Sequence, residues 1–236
     1  MCTVSFINNK KQIIITSNRD EATIRPSALP PKNYSKNGKN IIFPKDEKAG
    51  GTWFVVDTVG TILVLLNGGL EKHTVELPYR KSRGLIVLDM ISQESPKDFW
   101  KEIDLDNIEP FTLVLYQNKK LYELIWDGIV KRDRALDVAK NHIWSSVTLY
   151  PEAIRKERIY WFDHFLTKKK KPAPTDMIRF HRYTEVENDE NGMIINRNDL
   201  LKTLSITQAV IEKNKGVIEY HDLQTQKDFQ TSFISI

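Results

Sequence analysis

With one cysteine in 236 residues the chain can form no internal disulfide, and no Cys/His cluster supplies a metal-ligand set. Neither a metal nor a cofactor is therefore expected. Nothing at the N-terminus resembles a signal peptide, because Met1 to Gln12 mixes polar and apolar residues without an apolar h-region. The longest apolar run, Thr61 to Leu66, is far too short to cross a bilayer, so no stable membrane insertion and a cytoplasmic location are expected. Charge of one sign is also scarce in excess: 35 Lys and Arg against 31 Asp and Glu leave a net +4. Much of that excess sits in Lys168 to Lys171, followed by Pro172 and Pro174, which reads as a solvated loop. Aromatic and basic residues do not alternate along any strand pair, which excludes a nucleic-acid platform. A chain of this length buries roughly 70% of its unfolded surface and needs no covalent staple. Without a convincing linker or an internal repeat, residues 1–236 are expected to form one domain.

What is present is a series of short β-branched runs separated by turn residues. Thr3 to Ile7 and Gln12 to Ser17 flank Asn8-Asn9-Lys10-Lys11 and predict a hairpin. The polar, proline-bearing stretch from Arg25 to Asn40 reads as a long surface loop. Thr52 to Val56 and Thr61 to Asn67 predict a second hairpin around Asp57-Thr58-Val59-Gly60. Helices are expected over Arg80 to Ile91, from Ser95-Pro96 to Trp100, from Pro151 to Phe165 and over Thr175 to Arg182. Further strands are expected at Phe111 to Tyr116, Leu121 to Trp126, Ile129 to Arg132 and His142 to Val147. Three more close the chain near Ser205 to Ile211, Gly216 to Tyr220 and Phe229 to Ile234. Strands at both ends around central helices imply an α+β fold of two packed sheets covered by helices.

The sole cysteine follows the initiator methionine, a position whose small side chain favours removal of Met1. Thiol and α-amine would then share one residue, and their ordinary pKa values, about 8.5 and about 8, allow proton exchange at neutral pH. Such a residue is a nucleophile carrying its own base. A turn centred between Asn9 and Lys10 would set Cys2 opposite Ser17, with Asn18, Arg19 and Asp20 following within about 10 Å. Arg19 could then stabilise the thiolate, and Asp20 could hold the amine. In the second hairpin Asn67 would fall opposite Gly50, where a side-chain amide beside a glycine backbone makes an oxyanion site. Read only as structure, a lone cysteine is a small hydrophobe. Asn-Arg-Asp then ends a strand, and Gly50-Gly51-Thr52-Trp53 is a turn with a core tryptophan.

Met1-Cys2-Thr3, Asn18-Arg19-Asp20-Glu21 and Gly50-Gly51-Thr52-Trp53 occur here in order. Together they resemble the NRDE family, also called the transport and Golgi organisation 2 family. The likeness continues into Pro110-Phe111, His142 to Arg158 and the final strands. The first segment is also similar to the penicillin V acylase and choloylglycine hydrolase group of N-terminal-nucleophile enzymes. This resemblance implies an αββα sandwich of two mostly antiparallel sheets. It also implies amide hydrolysis through a thioester, with Cys2 as nucleophile and base, Arg19 and Asp20 as supports and Asn67 on the oxyanion side. Asn18, Gly50, Gly51, Trp53 and Ser146 are expected to contact the substrate. The chain departs from the family at two places: Trp144-Ser145-Ser146 stands where Leu-Ser-Asn is usual, and Thr203-Leu204-Ser205 lacks the usual arginine.

Two readings of function follow. One is an N-terminal-nucleophile hydrolase of a small amide or thioester. The other, implied by the family's association with haem and acyl metabolites, is a non-enzymatic module that binds a haem-like or lipid ligand. His73, His142, His164, His181 and His221 are the residues a haem could use, although each reads first as an ordinary surface or core histidine.

Overall fold

A computed structural model of the chain describes residues 3–234. Fourteen strands and four helices occur among the described residues. In chain order they are β1 (Thr3–Asn8), β2 (Ile13–Ala22), β3 (Leu29–Lys36), β4 (Lys39–Lys45), β5 (Phe54–Asp57), β6 (Ile62–Asn67), α1 (Arg83–Ile91), α2 (Pro96–Glu102), β7 (Phe111–Gln117), β8 (Lys120–Trp126), β9 (Lys131–Leu136), β10 (His142–Ser145), α3 (Glu152–Lys168), α4 (Pro174–Tyr183), β11 (Asn196–Arg197), β12 (Leu201–Glu212), β13 (Lys215–Asp222) and β14 (Lys227–Ile234).

The strands form two antiparallel sheets. The first runs β10-β1-β2-β12-β13-β14, with β11 alongside β12; the second runs β3 to β9 in sequence order. Alternation along β1 and β2 gives the first sheet two buried faces. Val4, Phe6 and Ile15 enter the large core shared with Phe54, Val64, Leu113 and Leu115 of the second sheet. Ile7 and Ile14 instead pack beneath Phe162 of α3 and Met177 and Phe180 of α4. Helices α1 and α2 cover the outer face of the second sheet, against β5, β6 and β7. The layers are therefore helix, sheet, sheet, helix, as the strand pattern led us to expect.

Two local expectations need correction. The stretch from Arg25 to Asn40 is not a loop throughout, because Leu29–Lys36 forms β3. Pro30 and Pro31 are tolerated there because β3 is an edge strand, with a register shift between Leu29 and Lys32. The first hairpin also turns one residue later than composition suggests. Asn8 Oδ1 accepts from Lys10 N–H, and Asn9 Oδ1 accepts from Lys11 and Gln12 N–H. These side-chain bonds, with Lys10 at φ 73, centre the turn between Lys10 and Lys11. Thr3 is consequently opposite Asn18, not Thr16. A shift of two residues leaves every side chain on its expected face.

Candidate active site

The site is built around β2, whose three consecutive polar residues divide between two faces. Arg19 points between the sheets and is 3% exposed. Its Nη2 donates to Asp46 Oδ2 at 3.1 Å and lies 3.8 Å from Glu21 Oε2. Its guanidinium stands 4.7 Å from the centre of the Trp53 ring. Arg25 Nη1 shares the same Asp46 oxygen at 2.8 Å. Burial pushes the Asp46 carboxyl up, but the Ala49 N–H and the charges of Arg25 and Arg19 outweigh it and hold the group below the usual carboxylate range.

Asn18 and Asp20 face the other way, toward the helices. Asn18 Nδ2 donates to the carbonyls of His181 and Met193, at 3.1 and 2.5 Å. Its Oδ1 accepts from His181 Nδ1 at 2.5 Å, which leaves Nε2 to accept from Ser5 Oγ at 2.7 Å. Burial first, and the nearby Arg158 charge second, lower the His181 pKa to about 3. Asp20 accepts from Tyr150 Oη and Thr203 Oγ1, both at 2.6 Å. Arg158, fully buried, donates to Thr3 Oγ1 and to the Asn191 and Gly192 carbonyls, and it lies 3.7 Å over the Tyr150 ring. The residue that begins β1 is thus tied to α3.

A cleft of about 430 Å³ opens beside Arg19, and Gly51, Thr52, Trp53, Leu65, Asn67, Tyr79 and Arg83 contribute to its wall. Gly51 has no alternative here, since a Cβ would stand 2.7 Å from Leu85 N at the start of α1. Arg83 reaches Glu109 Oε2 at 3.0 Å, and burial lowers its pKa despite that carboxylate.

Of the residues expected at the site, Arg19, Gly51, Trp53 and Asn67 share this cleft. Asn18 and Asp20 are absent from its wall and occupy the opposite face of β2. Gly50, at φ 71, closes a turn by donating to the Asp46 carbonyl, and Ala49 and Gly51 on either side form the wall. The second hairpin is also one residue out of the expected register, with Phe54 opposite Val64, because the three residues 58–60 form its loop. Asn67 extends beyond that ladder and pairs with Phe111 of β7. Ser146 lies beneath it, donating to the Asn67 carbonyl at 2.8 Å, and Leu204 is buried in β12. Cys2 lies outside the described residues. None of the five histidines forms part of the cleft wall.

Asp46, Arg83, Glu109, Tyr150, Thr203 and Arg158 were not singled out from the sequence. Tertiary contacts join them to partners remote in sequence: Tyr150 meets Asp20 across 130 positions and Thr203 meets it across 183.

A model of the family described as Transport and Golgi organisation 2 matches residues 1–234. No curated protein sequence matches the chain. Among solved structures, it is similar to a Caenorhabditis elegans ortholog of N-acylethanolamine-hydrolyzing acid amidase. That match has a TM-score of 0.62 and 12% identity, over 88% of this chain and 92% of the other. Two variants of conjugated bile acid hydrolase from Clostridium perfringens are also similar, with TM-scores of 0.55 and 0.56 and identities of 9% and 10%. Each covers 98% of this chain and 92% of the other. At these identities the likeness is one of fold, and the fold is that of the N-terminal-nucleophile hydrolases.

Proposed function

We propose that this chain, which belongs to the Transport and Golgi organisation 2 family, hydrolyses a small amide or thioester with Cys2 as its N-terminal nucleophile. The observation that carries the reading is the register of the first hairpin: Thr3, the residue after Cys2, pairs with Asn18, the residue before Arg19. Arg19, the next residue along β2, shares the cleft wall with Asn67, which supports a site at this end of the hairpin. The fold, shared with an amidase and a bile acid hydrolase, supports the same chemistry.

In the proposed reaction the α-amine of Cys2, freed of Met1, accepts the thiol proton. The thiolate then adds to the substrate carbonyl carbon, and the Asn67 amide donates to the developing oxyanion. Collapse breaks the C–N or C–S bond, and the leaving group takes the proton from the ammonium. Water, deprotonated by the same amine, releases the acid from the Cys2 thioester. Arg19 stabilises negative charge at the thiolate, while Asp20, held by Tyr150 and Thr203, fixes the end of the hairpin from the opposite face.

Mass spectrometry of the intact protein after mixing with short acyl thioesters and N-acyl amides tests this directly. An acyl adduct should form on Cys2 and decay in water, and Cys2→Ala should form none. Turnover that persists in Cys2→Ala would eliminate the proposal.

A further inference from the structure

A second cleft, of about 350 Å³, lies between β8, β10, the turn after β6 and the start of α3. Its wall is apolar over Leu66, Leu70, Ile125, Ile143, Trp144 and Ile159. Leu70 and Ile159 are each 46% exposed, so apolar surface remains open to solvent at its rim. Three charged side chains belong to the wall: Glu123, Arg134 and Arg155. Glu123 is already engaged, accepting from Trp144 Nε1 at 2.8 Å and pairing with Arg134 Nη2 at 2.9 Å. Arg155 is different. It forms no ion pair among the described residues, and its buried Nε meets no acceptor there. Glu152, about one turn before it on the same helix, feels its charge but is bonded to Lys156 at 2.7 Å.

A half-buried guanidinium with no bonded carboxylate, set beside an apolar wall, is matched by a ligand with one oxyanion and one apolar end. Carboxylate and phosphate both fit the planar fork of guanidinium donors. We propose that the second cleft binds such an amphipathic oxyanion, with Arg155 on its head group and Trp144, Leu70 and Ile159 along its chain. Asn67 is common to the walls of both clefts, so the occupant would lie beside the candidate active site. This binding requires no turnover and stands whether or not the chain is a hydrolase.

Titration calorimetry on the full chain, with octanoate, octyl phosphate, octanol and acetate, tests the assignment. At least one of the two amphipathic anions should bind about tenfold or more tightly than octanol or acetate, as expected for a hydrogen-bonded charge. The tighter of the two identifies the head group. Arg155→Met should reduce it to the affinity of octanol. Ile159→Asp, at an exposed rim position, should weaken the anion by repulsion without loss of the fold. Equal binding of octanol and both anions, no binding by either anion, or wild-type affinity in Arg155→Met would overturn the proposal.

Discussion

Mild acid should weaken this protein through one histidine. His181 is fully buried between α4 and the first sheet, donating from Nδ1 to Asn18 and accepting at Nε2 from Ser5. Burial and the Arg158 charge lower its pKa to about 3, whereas an unfolded histidine titrates near 6.5. Between those values the unfolded chain holds a proton that the folded chain does not. Stability is therefore fully present above about pH 6.5 and is lost as pH falls toward 3, at up to about 1.4 kcal/mol per pH unit. At pH 5 the loss from this group alone is about 2 kcal/mol. His181→Gln keeps an amide donor and acceptor but cannot titrate. Urea unfolding followed by near-ultraviolet circular dichroism, from pH 7.5 to pH 5, should show the stability gap between wild type and variant narrowing by about 2 kcal/mol. A gap that stays constant, or a His181 resonance titrating near 6.5, would refute the buried neutral histidine.

Three further outcomes follow from the same geometry. Gly51→Ala should force the β4–β5 connection away from α1, costing about 2 kcal/mol or more by chemical denaturation and reshaping the first cleft. Asp46→Asn should leave the buried Arg19 guanidinium without its nearest carboxylate, at about 3 kcal/mol, measured the same way at neutral pH. Because the Asp46 carboxyl is held below its ordinary range, that difference should vanish only in strong acid, as pH falls through its folded pKa. Tyr150→Phe should remove one donor from Asp20 and cost about 1–3 kcal/mol, with a smaller loss if water enters in its place.

Much of the architecture is legible from local pattern. The runs Thr3 to Ile7, Phe111 to Tyr116 and Ser205 to Ile211 are rich in β-branched or apolar residues and are bounded by turn residues, so their strands could be located in advance. Pro30 and Pro31 obscured β3, because an edge position removes the penalty that proline carries inside a sheet. The register of the first hairpin was hidden in side-chain bonds from Asn8 and Asn9, which composition alone does not reveal. At the site, Arg19 and Asn67 could be named from the two hairpins, and Gly51 and Trp53 from the family resemblance. Asn18 and Asp20 were expected beside Arg19, but alternation along β2 turns their side chains to the other face. Asp46, Tyr150 and Thr203 could not be read, because each meets its partner only after the sheets and helices assemble.

The self-activating cysteine is tested most directly by comparing two forms of the protein whose N-termini are verified by intact mass: one beginning at Cys2 and one retaining an additional residue before it. In the extended form the α-amine is an amide nitrogen and cannot act as a base. With an N-acyl amide as substrate, the form beginning at Cys2 should turn over and the extended form should be nearly as inactive as Cys2→Ala. Equal rates in the two forms would contradict the mechanism.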